Sequence, residues 1–125
     1  MPPGIEGTWV PIAAAVSGQP LEVAQLRVAR FVLDRGGYEI VDRADRVVDA
    51  GDYHIDETVS PSAMDIIGLS GPNAGRTMLA IFELEGDRLT VCYDLEQAVR
   101  PLGMEPLEDQ LLLVITYARA ARRLS

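Results

Sequence analysis

The feature that most constrains this chain is a series of short apolar segments, each ended by turn residues. The clearest pair spans 76–84 and 89–94 and is joined by Glu85-Gly86-Asp87-Arg88. Gly and Asp favour tight turns, so this pair predicts a β-hairpin. No long amphipathic helix separates the segments, as neighbouring parallel strands would require. The chain is therefore expected to consist of antiparallel strands that follow one another in sequence order.

A two-residue turn at Gly86-Asp87 would set the register of this hairpin. Leu84 then lies opposite Leu89, because side chains alternate between the two faces of a strand. The other face mixes apolar and polar side chains, Ile81 and Cys92 among them, and is expected to face water. The nearly all-apolar face is expected to face the core and carries Met78, Ala80, Phe82, Leu84, Leu89, Val91 and Tyr93.

Further segments rich in β-branched and aromatic residues predict strands at 8–16, 28–33, 38–41, 46–55, 63–67 and 111–117. Asp34-Arg35-Gly36-Gly37 predicts a second hairpin turn. Gly51 is expected to form a bulge, because the apolar alternation changes phase there. Pro20 suits the first position of a short helix over 21–26.

About eight short strands in sequence-adjacent hairpins favour an all-β, antiparallel up-and-down barrel, since closing a sheet removes its edges. One or two short helices are expected in the end loops. A β-sandwich is the alternative architecture. At 125 residues the chain has the size of one domain, so residues 1–125 are expected to form a single barrel domain.

Charge and composition bear on partners and location. The net charge of −8 makes nucleic acid and anionic membranes poor partners. With one cysteine, Cys92, no intrachain disulfide can form, and no apolar run approaches the roughly 18 residues of a membrane span. A cytoplasmic protein is expected, although a chain whose signal peptide had been removed would look the same. The last strand is apolar on both faces, so a homodimer partner is one candidate to cover it.

Several stretches together resemble a known family. They are Gly7-Thr8-Trp9, Gly18-Gln19-Pro20, Gly51-Asp52-Tyr53, residues 61–65, residues 71–77 and residues 81–92. In order and spacing they are similar to the small lipocalin-like domain of unknown function described from planctomycete genomes. The resemblance implies a calycin-type barrel and no particular activity. It departs after Arg100-Pro101, where 102–107 replaces the family's aromatic and Gly/Ser-rich stretch.

The Gly-x-Trp of the first strand also resembles the lipocalin signature. That resemblance implies that Trp9 plugs one end of the barrel and that an arginine near the last strand lies across its indole. Arg119 is the matching residue, and Trp9 with Arg119 is the expected structural clamp. A guanidinium over an indole contributes about 0.5 to 2 kcal/mol, depending on desolvation.

Residue-based catalysis finds little support in the sequence. Any Cys/His or Ser/His/Asp set would need the single histidine, His54. His54 alternates with Asp52 and Asp56 on what is expected to be a solvated strand face, too open for a metal site. Cys92 is expected to be a small apolar filler. No catalytic residue, metal or cofactor is therefore assigned.

Eight-stranded barrels are just wide enough to fill with side chains or to hold one small ligand. Small alanines on the strands favour a cavity, which predicts that the protein binds a small apolar molecule. Two alternatives stay open: a cyclase or isomerase that acts by shape on an apolar substrate, and a structural or protein-interaction module. The predicted ligand contacts are Phe31, Tyr38, Ile40, Met78, Phe82, Tyr93 and Met104.

The loops predict where a ligand would enter. Successive connections of an up-and-down barrel alternate between its two ends, and those at 17–27, 68–75 and 95–108 share one end. The mouth is expected there because these connections are the longer ones. The last of them has an unusually apolar content, so it is predicted to fold over the mouth as a lid with Met104 touching the ligand. Covering the last strand or a dimer partner is the alternative role.

Overall fold

The computed structural model describes residues 4–26, 28–72, 74–95, 100–104 and 111–120. Within these residues the fold is almost entirely β, with one turn of 3-10 helix at Val23–Gln25. The strands are β1 (Gly7–Val16), β2 (Gln19–Leu21), β3 (Arg30–Asp34), β4 (Gly37–Val41), β5 (Val47–Asp56), β6 (Ser62–Ser70), β7 (Thr77–Glu85), β8 (Arg88–Asp94) and β9 (Leu112–Arg119).

The sheet closes into a barrel. From β3 to β9 each strand pairs antiparallel with the next, and β1 pairs with both β3 and β9. β2 is an extra short strand that pairs with β1 alone. The predicted barrel is confirmed, and the β-sandwich alternative is wrong, because the β1–β9 pairing joins the two ends of one sheet.

Both predicted hairpin turns are confirmed. Asp34 pairs with Gly37 around a turn in which Arg35 and Gly36 have φ values of 52° and 81°, the signature of a type I′ turn. Glu85 pairs with Arg88 around Gly86, which has φ of 58°. Such turns match the right-handed twist of the flanking strands, so they fix the register of each hairpin.

The register of β7 with β8 is also confirmed, since Leu84 pairs with Leu89 and Phe82 with Val91. The predicted inward face lies in the core cluster of the barrel: Ala80, Phe82, Leu89 and Val91 are buried, and Met78, Leu84 and Tyr93 pack against them.

The prediction that the opposite face meets water is wrong at its centre. Ile81 and Cys92 are fully buried there with Leu112, and Met104 packs against them. We call residues 100–104 the outer segment. It lies against the outer face of the barrel, and it covers part of the last strand, which explains why β9 is apolar on both faces.

Arg100 anchors the outer segment. Its guanidinium donates to the carbonyl oxygens of Ala80 at 2.8 Å and Met64 at 3.3 Å, and it forms an ion pair with Asp65. Pro101, which follows, is fully buried. One side chain therefore ties the outer segment to both β6 and β7.

The bulge on β5 lies at Val48 and not at Gly51 as predicted. Val48 is the extra residue opposite Ile40 and Val41, and Asp49 points inward. The register also shifts beside Gly51, but there the extra residue is Leu69 on β6. Gly51 is required for another reason: a Cβ would lie 1.9 Å from the carbonyl oxygen of Ile67. The apolar Val48 made the alternation appear to change phase at Gly51, because the bulge exposes this residue to solvent.

The predicted helix over 21–26 is reduced to the single 3-10 turn, and Pro20 lies in β2, paired with Ala15. Strand pairing with β1 satisfies backbone groups that a short isolated helix would leave to water. Within the described ranges, no helix has the length and hydropathy needed to cross a bilayer.

Trp9 fills one end of the barrel, which we call the closed end. It is fully buried, and its indole nitrogen donates to the carbonyl oxygen of Ile5 at 2.9 Å. The guanidinium carbon of Arg119 lies 4.3 Å from the centre of the Trp9 ring. The same guanidinium donates to the carbonyl oxygens of Glu6 at 2.7 Å and Gly4 at 3.0 Å. Arg119 therefore ties the N-terminal residues and β1 to the end of β9.

Gly7 in the Gly-x-Trp motif makes room for this contact. Its φ is 144°, and a Cβ there would lie 2.7 Å from a guanidinium nitrogen of Arg119. Glycine is needed because both the backbone conformation and the space exclude a side chain.

We expect Arg119→Ala to lower the free energy of unfolding by about 1–3 kcal/mol, because it removes the cation–π contact and two hydrogen bonds to carbonyl oxygens. Chemical denaturation measures this change. Arg88→Ala is the matched control, since Arg88 is exposed and pairs with Ala118, next to Arg119. It should change stability by no more than about 0.5 kcal/mol. Equal stability of the two variants would contradict the structural role of Arg119.

The rate at which a thiol reagent modifies Cys92 tests whether Arg100 anchors the outer segment. Burial, aided by the charge of Asp94, raises the pKa of the Cys92 thiol to about 11, so a thiol reagent at pH 8 should react slowly with the folded protein. We expect Arg100→Ala to speed this reaction, because the outer segment over Cys92 loses its anchor, and to lower stability by about 1–3 kcal/mol. Arg46→Ala, which removes a surface ion pair with Asp42, is the control. Identical thiol rates in both variants would show that the segment is held by other contacts.

Candidate ligand-binding cavity

A cavity of about 140 Å³ lies inside the barrel. Its lining is mostly apolar, with a few polar groups from tyrosines and one aspartate, as is usual for small-molecule sites. The lining residues are Val28, Phe31, Tyr38, Ile40, Asp49, Ile66, Met78, Tyr93, Leu95, Leu113, Ile115 and Tyr117.

The cavity lies toward the end of the barrel opposite Trp9, which we call the open end. Val28 precedes β3 and Leu95 directly follows β8, so both belong to connections at this end. The loop at Gly71 also lies there, against Asp49. This is the end at which the loop lengths predict the mouth.

Five of the residues predicted to contact a ligand line the cavity: Phe31, Tyr38, Ile40, Met78 and Tyr93. The other two do not. Phe82 is buried in the barrel core without reaching the cavity wall, and Met104 packs on the outer face against the Ile81 and Cys92 cluster.

The placement of Met104 bears on the predicted lid over 95–108. The outer segment lies against the outer face of the barrel instead of over the mouth, because Arg100 and Pro101 hold it there. Leu95, at the start of the predicted lid, does line the cavity. Val99 and Leu107, two other apolar residues of that connection, lie outside the described residues.

The sequence argument missed several lining residues, above all Asp49 and Tyr117. Asp49 escaped notice because the bulge at Val48 reverses the apparent phase of β5. Tyr117 escaped because β9 is apolar on both faces, so its inward face could not be chosen from pattern alone. Tyr117 is nevertheless fully buried in the core cluster. The predicted contact of Arg119 with Trp9 is a signal that could have found it, because Tyr117 lies two residues before Arg119 and so on the same face of the strand.

Three aromatic rings form one side of the cavity. The ring centres of Phe31 and Tyr117 lie 5.4 Å apart with a tilt of 36°, and those of Phe31 and Tyr38 lie 6.3 Å apart, edge to face. These separations are favourable for aromatic pairs. The cluster therefore offers a fixed aromatic wall to a small ligand.

Two of the phenol groups are hydrogen bonded to each other. Burial raises the pKa of both Tyr93 and Tyr117, that of Tyr93 to about 12. Both are therefore neutral at physiological pH, and each hydroxyl can donate one hydrogen bond and accept others.

The third phenol contacts the aspartate. The Tyr38 hydroxyl donates to Oδ1 of Asp49 at 3.3 Å, and Asp49 is only 7% exposed. Burial, followed by the negative charge of Asp49, raises the pKa of Tyr38. The cavity thus holds a carboxylate at its open end and neutral phenols beside it.

The residues considered for catalysis lie elsewhere. His54 is exposed on the outer surface and lines a groove of about 420 Å³ with Asp56, Asp65 and Arg100. The charged groups there bond within the protein, Arg100 to Asp65 and Asp56 to Thr58. Cys92 is buried under the outer segment. Among the described residues, no three His, Cys, Asp or Glu side chains are grouped so that they could hold a metal.

Comparison of the chain with known proteins found no matching family model, no matching curated protein and no matching solved structure. The resemblance to the lipocalin-like domain of planctomycete genomes therefore stays a prediction.

The raised pKa values of the tyrosines predict that the free energy of unfolding falls at high pH. The pKa of each of the four tyrosines is raised above 10.0 in the folded chain. Their neutral forms therefore stabilise the fold below pH 10. This contribution decreases as the pH rises above 10, for Tyr93 through its folded pKa of about 12 and for Tyr38 and Tyr117 at still higher pH. We expect the free energy of unfolding to fall over that interval.

Denaturant titrations at stepped pH measure this change, while tyrosinate absorbance follows ionisation. The control is the protein in denaturant, whose tyrosines should ionise near pH 10. Tyrosinate absorbance that appears near pH 10 without unfolding would contradict the burial of these phenols.

Proposed function

We propose that this protein binds a small, mostly apolar molecule in the cavity at the open end of the barrel. One observation carries the proposal: the closed end is filled by Trp9, whereas the open end holds a cavity of about 140 Å³ with an apolar wall. An eight-stranded barrel that served only as a solid core would be filled along its whole length.

The size of the cavity limits the ligand. An engineered apolar cavity of about 150 Å³ in another protein binds benzene. The ligand proposed here therefore has a body about as large as a single six-membered ring. The phenols and Asp49 supply the few polar contacts that orient it.

The likeness of the sequence motifs to lipocalin-like domains implies no particular activity, but it implies the kind of barrel that the proposed function needs. Gly7, Trp9 and Arg119 close one end of the barrel and leave the other for a ligand. We also propose that the chain belongs to that lipocalin-like family.

Ethylbenzene and benzyl alcohol are suitable neutral probes, with binding measured by calorimetry and by nuclear magnetic resonance of the protein methyl groups. We expect both to bind in a saturable manner and to shift signals of Ile40 and Met78. Filling the cavity with Ile40→Trp should abolish binding. Ile12→Trp is the matched control, because Ile12 lies on the outside of β1 and is 46% exposed.

Circular dichroism should show that both variants fold. Leu113→Phe, a milder change in the cavity wall, serves if Ile40→Trp does not fold. Absence of saturable binding to the wild-type protein, or equal loss of binding in both tryptophan variants, would refute the proposed function.

A further inference from the structure

Three phenol groups line the cavity, and each brings a hydrogen-bond donor to it. Among the described residues they belong to Tyr38, Tyr93 and Tyr117. Burial raises the pKa of each above 10.0, so all three hydroxyls keep their protons at physiological pH. A buried donor that finds no acceptor is destabilising, so each of the three protons calls for an acceptor.

Two of the three protons have acceptors within the protein. The Tyr38 hydroxyl donates to Oδ1 of Asp49 at 3.3 Å. Tyr93 and Tyr117, which we call the phenol pair, are hydrogen bonded to each other. One bond between two hydroxyls uses one proton, whichever of the two donates it, and the accepting hydroxyl keeps its own. The phenol pair therefore has one donor left over.

The surroundings of the phenol pair are poor in acceptors. Tyr93 lies on β8 and Tyr117 on β9, with the paired residues Val91 and Ile115 between them. Both strands are paired on their two sides, so their carbonyl oxygens accept from neighbouring strands. Apart from Asp49 and the tyrosines, the described lining side chains are apolar. A molecule in the cavity is therefore well placed to supply the acceptor.

We propose that the ligand carries a neutral hydrogen-bond acceptor, such as a carbonyl, nitrile or ether group, that accepts from the phenol pair. Its ring packs beside Phe31, whose ring centre lies 5.4 Å from that of Tyr117. This inference rests on the proposed function, because it assigns the ligand class of the same cavity. The acceptor group orients a ring whose other contacts are mostly apolar.

Benzonitrile and phenylacetylene are matched probes, because they have nearly the same shape and the nitrile nitrogen is much the better acceptor. The double variant Tyr93→Phe and Tyr117→Phe removes both hydroxyls and keeps both rings. Replacing both partners of a buried hydrogen bond by apolar groups changes stability little, so this variant should fold. We expect its affinity for benzonitrile, relative to phenylacetylene, to fall about three- to tenfold, because one neutral hydrogen bond to the ligand is lost.

Tyr53→Phe is the matched control. Tyr53 is a buried tyrosine that lies outside the cavity lining. Its backbone nitrogen donates to Gly36, in the hairpin turn at the closed end. We expect this variant to leave the relative affinity for the two probes unchanged.

The infrared band of bound benzonitrile reports the hydrogen bond directly, since donation to the nitrile nitrogen raises its stretching frequency. We expect the band of the wild-type complex to lie above that of benzonitrile in an apolar solvent. The double variant should return the band toward the position it has in that solvent.

The outcomes separate the two proposals. If neither probe binds the wild-type protein in a saturable manner, the proposed function fails. If both bind and the relative affinity is the same in the wild-type protein and the double variant, the cavity binds ligands but the acceptor inference is wrong. An unshifted nitrile band in the wild-type complex also overturns the inference, and that measurement needs no variant.

Discussion

The pairing of β1 with both β3 and β9 is the constraint on which the rest of the structure depends. In an open sheet, neither face of a hairpin encloses an interior. Joining β1 to β9 makes one face of every strand interior, and the register from Trp9 with Arg119 to Val16 with Leu113 fixes which residues lie at each end. The closed end and the open end follow from that single pairing.

The two ends then take different roles for a physical reason. At the closed end, the large indole of Trp9 fills the interior, and Arg119 satisfies carbonyl oxygens of the N-terminal residues while it covers the ring. At the open end, the side chains that point inward leave a space of about 140 Å³. Because the open end is not filled, it can accommodate a polar group such as Asp49, which is costly to bury in a solid core.

Much of the fold could be predicted because its information is local. The turns at Arg35-Gly36 and Gly86-Asp87 select their own hairpins, and the turn sets the register that brings Phe82 opposite Val91. Two of the three rings of the aromatic wall, Phe31 and Tyr38, were among the predicted ligand contacts. Asp49 and Tyr117 did not, since a bulge at Val48 reversed one strand's phase and β9 is apolar on both faces. Met104 was predicted to contact the ligand, because the sequence of an apolar loop does not show which surface the loop covers.

The sequence by itself determined the β class, the hairpin order, and the inward face of β7 and β8. These depend on turn conformations and on the two-residue period of a strand, which neighbouring residues specify. Tertiary structure alone decided that the outer segment buries Ile81 and Cys92, that Pro20 joins a strand, and that a carboxylate faces the cavity. Each of these depends on which distant segment comes to lie against a given surface, and that is set by closure of the whole barrel.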